Sequence, residues 1–134
     1  MGTIYLVAAG AVVALVFSAV MYLRVRQEPE GNKEMAEISN SVQKGANAYL
    51  KRQYTGVIVF FFVVFLILLA MAFGGYLSFF TPFAFVTGGF FSGLSGFIGM
   101  RTATMANCRT ANGASKSLNK GLKIAFSAGS VMGF

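Results

Sequence analysis

QYTGVIVFFFVVFLILLAMAFGGYLSFFTPFAFVTGGFFSGLSGFIGM, Gln53 to Met100, carries no charged residue. About 20 apolar residues cross a bilayer once as a helix, so this run is too long for one crossing and about right for two. Turn residues collect at Gly74-Gly75 and from Ser78 to Pro82, which places a hairpin there. Span two is then about 55–77 and span three about 82–100, with Pro82 at a first helical position, where its missing N–H costs nothing. Span two is bulky on every side, as suits contact with lipid. Span three carries Gly89, Ser92, Gly93, Gly96 and Gly99, whose four-residue spacings let a neighbouring backbone approach closely; this is a helix-packing face. In an isolated chain the Gly93 and Gly96 side of it is expected to stand exposed.

The flanking sequence extends the pattern. Charges are also absent from Gly2 to Leu23, and 3–23 as a helix reaches about 31 Å, matching a hydrocarbon core of about 30 Å. A signal peptide is the competing reading, but no Lys or Arg precedes this run and it exceeds an h-region of about 7–15 residues. Arg24 and Arg26 follow it. After the turn-rich Glu28-Pro29-Glu30-Gly31-Asn32, residues 33–54 place Met35, Ile38, Val42, Gly45, Ala46, Tyr49 and Gln53 on one helical face. This amphipathic helix runs into span two, since no strong breaker separates them. The fold class is an all-α membrane protein, a single polytopic domain over 1–134.

Ile124 to Phe134, as a helix, reaches about 16 Å, half a hydrocarbon core. Carbonyls ending there in lipid each cost several kcal/mol. The expectation is therefore a fourth span, 122–134, that is incomplete, and a chain that is the N-terminal fragment of a longer protein.

A composition of 56% hydrophobic and 11% charged residues with mean hydropathy +0.68 exceeds the roughly 45–50% apolar content of a soluble domain. The net charge of +7 does not point to nucleic acid, because the cations sit in the two segments between spans. That distribution puts 24–52 and 101–123 as loops in the cytoplasm, the 74–82 hairpin and the N-terminus outside, in a cell inner membrane. Cys108 is the sole cysteine and histidine is absent, which excludes intrachain disulfides and Cys/His metal sites. All four acids, Glu28, Glu30, Glu34 and Glu37, fall in the first inside segment, where solvation accounts for them. No span carries a carboxylate of the kind that marks an ion path. Arg101, Thr102, Thr104, Asn107, Arg109 and Thr110 form one polar cluster, read as a helix end leaving the membrane with cations near its C-terminal dipole. Catalytic, substrate-binding and metal residues are none.

Ile38 to Tyr54, Pro82 to Ala111 and Leu118 to Gly133 together resemble the membrane-integral pyrophosphatases. The distinctive block is GM-x-TAT-x-AN-x-RTA, formed by Gly99, Met100, Thr102, Ala103, Thr104, Ala106, Asn107, Arg109, Thr110 and Ala111. Residues 1–27 match only as a generic first helix, and Asn112-Gly113 departs from the family's alanine-rich stretch, which loosens that inside loop. The resemblance implies an ion pump driven by diphosphate hydrolysis, moving H+ or Na+, with Mg2+ and in some members K+ as cofactors and a homodimer in the lipid bilayer. It also implies that the catalytic Asp and Lys side chains lie downstream and that these helices belong to an outer ring, so no catalytic residue is carried over and the chain alone is expected to be inactive. Two other classes remain: a small four-helix transporter, which would need a carboxylate within a span, and a non-catalytic membrane scaffold subunit.

Overall fold

The computed structural model describes residues 2–134, which form four helices: α1 (Gly2–Gln27), α2 (Lys33–Phe73), α3 (Phe80–Lys116) and α4 (Leu118–Gly133). The first three are long and apolar enough to cross a membrane. The chain divides into two compact units, 47–97 and the combination of 1–46 with 98–134.

The 47–97 unit is the hairpin of α2 and α3. Its turn comes earlier than the apolar count implies: α2 stops at Phe73 and not near residue 77, because Gly75 takes φ +78°, a left-handed conformation open to glycine. The amide of Gly74 donates to Ala70 O and that of Tyr76 to Met71 O, closing the helix end. α3 begins at Phe80, so Pro82 is the third helical residue and not the first; its missing N–H still falls among the four that have no partner within a helix. Phe61 stacks on Phe85 with centroids 4.7 Å apart, and Phe65 meets Phe83 edge to face at 6.1 Å. Gly89 faces the Phe61 ring, which occupies the space a side chain would need.

In the other unit α4 packs antiparallel to α1. The Ser18 hydroxyl donates to Val131 O at 3.4 Å and Phe17 meets Phe134 edge to face at 5.3 Å. Val25, Ala106, Ile124 and Ala128 make the buried core, with Met105 against it. α4 is antiparallel to the end of α3 as well: Met132 lies beside Gly99, while Gly113 and Ala114 lie beside Gly121. Ser117 separates the two helices as N-cap of α4, its side chain accepting from the Lys120 amide at 3.2 Å.

Two expectations change. The segment 101–123 is not a loop but the last four turns or so of α3, Ser117 and the start of α4. The helical face of 33–54 is also displaced. Ser39 and Leu50 are buried and Gln43 and Ala46 half-buried, whereas Ile38 is 66% and Tyr49 57% exposed. The packed side lies one residue on from the expected one, and it can be polar because Ser39 and Gln43 satisfy each other there. Gln43 accordingly donates to Ser39 Oγ at 3.3 Å. Ile4, Leu6, Ile58, Phe60 and Phe90 are all more than 60% exposed, an apolar surface far beyond what water tolerates.

Candidate functional site

The densest polar arrangement is built around Arg109. From Gly99 on, α3 turns Thr102, Ala106, Arg109 and Gly113 to one side, at intervals of three and four residues, and all of them are buried. Thr102 has no exposed surface and satisfies its hydroxyl on Ile98 O at 2.8 Å; Thr104 does the same on Met100 O at 3.0 Å. Those internal bonds let polar side chains sit in an apolar interior. The helix does not end at Arg109, as its sequence position implies: α3 continues to Lys116 and the guanidinium is turned inward, 7% exposed.

Its donors are all directed. Nε donates to Glu28 O at 2.9 Å, Nη1 to Met105 O at 2.7 Å and Nη2 to Glu30 Oε1 at 2.8 Å. Asn112, one turn on, donates to Pro29 O at 3.0 Å, and Lys120 pairs with Glu28 at 3.4 Å. The Glu28–Asn32 connection between α1 and α2 is thus tied at successive residues. Gly31 has φ +100°, and a Cβ there would meet Asn112 Cβ at 3.2 Å, so only glycine fits the bend. Asn32 then caps α2, its side chain accepting from the Met35 amide at 2.8 Å. Glu28 and Glu30 are ion-paired and not merely solvated. Asn112-Gly113 is likewise not a loosened loop: Asn112 holds the connection, and Gly113 allows Gly121 N within 3.3 Å of where its Cβ would stand.

The remaining motif residues scatter around this face. Met100, Ala103 and Thr110 are half-buried, while Asn107 and Ala111 are exposed. The expected packing face of span three divides. Gly89 and Gly93 meet α2, Gly99 meets α4, and Ser92 faces outward. The Gly93 and Gly96 side stays largely open, as expected: Gly96 is exposed and nothing lies within 4 Å of an added Gly93 Cβ, although the Tyr54 hydroxyl donates to Gly93 O at 2.7 Å and lies 3.3 Å from where a Gly96 Cβ would stand. Tyr54, Glu28, Glu30 and Lys120 escaped sequence reasoning because their partners lie 39 to 92 residues away.

This arrangement binds helices to one another. It offers no nucleophile beside a base, and no three of His, Cys, Asp and Glu come together among the described residues. Glu28 and Glu30 each face a cation, so these residues do not fit a magnesium site.

The family described as inorganic H+ pyrophosphatase matches residues 12–134. The chain belongs to that family. It is 48% identical over 130 residues to a Bacteroides thetaiotaomicron protein named as a K+-stimulated pyrophosphate-energized sodium pump, with 96% of this chain covered. It is 42% identical over 128 residues to a K+-insensitive pyrophosphate-energized proton pump of Moorella thermoacetica, again with 96% covered. A K+-stimulated pyrophosphate-energized sodium pump of Thermotoga maritima is 34% identical over 123 residues, with 90% covered. The chain spans 18% of the length of the first two and 16% of the third. With three helices able to cross a bilayer and relatives that are ion pumps, this pyrophosphatase-family chain is an integral membrane protein. The Arg109 clamp ties its α1–α2 connection to α3.

Proposed function

We propose that this chain works as part of a membrane pump that couples hydrolysis of inorganic diphosphate to transport of H+ or Na+, and that its own helices supply framework and not chemistry. The observation that carries the reading is the family match along 12–134, joined to a site whose polar groups are spent on one another. Diphosphate, Mg2+ and, in a K+-stimulated form, K+ would be held by residues outside this chain, in a homodimer. The cytoplasmic side is the end bearing the Arg109 clamp. Arg24, Arg26, Lys116, Lys120 and Lys123 flank the clamp within one unit, and cationic connections stay inside. The N-terminus is then outside, and in a bacterial cell the membrane is the inner one.

The test is to express the gene with all that follows codon 134 in a bacterial host and prepare inverted vesicles. Diphosphate with magnesium should drive quenching of an acidification dye or uptake of radiolabelled sodium, together with release of phosphate. Phosphate release without transport, or neither, overturns the pump. Residues 1–134 purified alone should release no phosphate; turnover by them overturns the framework role.

A further inference from the structure

Where α1 crosses α4, the antiparallel register sets Arg24 within two residues of the level of Lys123, since Ser18 bonds Val131 and Val25 shares a core with Ile124. Arg24, Gln27, Glu28, Lys123 and Ser127 are among the residues lining a cavity of about 610 Å³ at this crossing. Glu28 is already paired with Lys120. Arg24 and Lys123 have no anionic partner among the described residues. A second cavity, of about 480 Å³, shares Lys123 and Ser127 with the first and runs past Met21, Leu122 and Phe126. One continuous recess therefore has a cationic end and an apolar end. Arg24 is the first charge after the apolar run of α1, so the cationic end stands at headgroup level and the apolar end within the hydrocarbon.

We infer that this recess binds one anionic phospholipid, with its phosphate between Arg24 and Lys123, the Gln27 amide as a further donor and one acyl chain along Met21 and Phe126. Basic pockets between spanning helices on the cytoplasmic side take lipid headgroups in this way. A zwitterionic lipid brings a third cation to two that already outnumber its single phosphate charge. A free phosphate leaves the apolar cavity unused.

The protein, expressed from its whole gene and purified in mild detergent, is reconstituted into nanodiscs of phosphatidylcholine with graded phosphatidylglycerol, and bound lipid is read by native mass spectrometry. One phosphatidylglycerol per chain should remain, and Arg24→Gln and Lys123→Gln should each weaken its retention by about fivefold. Arg26→Gln, which changes a cation outside both cavities, should leave it intact. Unchanged retention in the two cavity variants overturns the site, as does wild-type protein that retains no phosphatidylglycerol. On wild-type protein alone, dihexanoyl phosphatidylglycerol should bind at least tenfold more weakly than the dioleoyl lipid. Equal binding of the two, with displacement by millimolar inorganic phosphate, overturns the lipid in favour of a plain anion site.

Discussion

In the 47–97 unit the helices meet through aromatic rings, which leave an apolar groove of about 510 Å³ beside them. Phe61 lies against Phe85 and over Gly89, Phe65 meets Phe83, and the one hydrogen bond between helices is Tyr54 to Gly93 O. In the unit of 1–46 and 98–134 small residues such as Ala106, Gly113, Gly121 and Ala128 pack with Val25 and Ile124, and the specificity comes from a guanidinium, an amide and an ammonium directed at one connecting segment. The first kind of packing relies on dispersion and tolerates small shifts. The second depends on close backbone approach and on buried polar groups each having a partner, so a single lost donor is expensive. The block from Gly99 to Ala111 lies in the second.

The change expected to hurt most is Arg109→Ala. It removes three hydrogen bonds made by a charged, buried donor and leaves Glu28 O and Met105 O without them, a loss of about 2–4 kcal/mol. Scanning fluorimetry of the purified protein in detergent should show it, and Arg109→Lys should restore only part, because an ammonium cannot reproduce the fork. A melting temperature equal to wild type would mean the clamp does not hold this unit together.

Gly121→Ala comes next. Its new methyl would lie 2.7 Å from Ala114 Cβ and 2.9 Å from Ala114 Cα, forcing α3 and α4 apart at a cost of about 1–3 kcal/mol. Gly129→Ala is the comparison, since nothing lies within 4 Å of its added Cβ; if both variants melt alike, close approach is not what the small residues provide.

In the 47–97 unit, Tyr54→Phe keeps the aromatic body and removes only the bond to Gly93 O, which should cost about 0.6 kcal/mol, the average for such bonds in membranes. A loss of several kcal/mol would erase the contrast between the two units. The smallest effect is expected from Glu30→Gln. Its side chain is half exposed and a neutral amide oxygen can still accept from Arg109, so the change should stay below about 1 kcal/mol. A double-mutant cycle with Arg109→Ala would isolate that pair from the guanidinium's two backbone bonds.

The spans were legible because apolar runs of bilayer length follow from the solvent alone, and so was the passage of the amphipathic stretch into span two without a break. The turn at Gly74-Gly75 was visible, although Tyr76 and Leu77 were counted into the helix by hydrophobicity. What failed was the inference from polarity. Thr102, Thr104 and Asn107 read as a helix end, yet α3 runs on to Lys116 with the threonines satisfied on the preceding turn. Facing was misread by one residue at Ile38 and Tyr49, because Ser39 and Gln43 satisfy each other and so can occupy the packed side. Arg109 was singled out by its motif, but its function as a clamp rests on Glu28 and Glu30, about 80 positions earlier and without any local periodicity linking them.

The hydrogen bond from Ser18 to Val131 joins positions 113 apart, against 39 for Tyr54 and Gly93. A ribosome adds about 5–20 residues per second, so α1 waits roughly 6–20 s for the stretch that completes its neighbourhood, whereas the Tyr54 hairpin closes in a third of that time. During the interval α1 stands in the bilayer with the Ser18 hydroxyl still lacking Val131. The order of assembly is therefore written into the topology: hairpin first, then α4 arriving to draw the oldest and newest helices together.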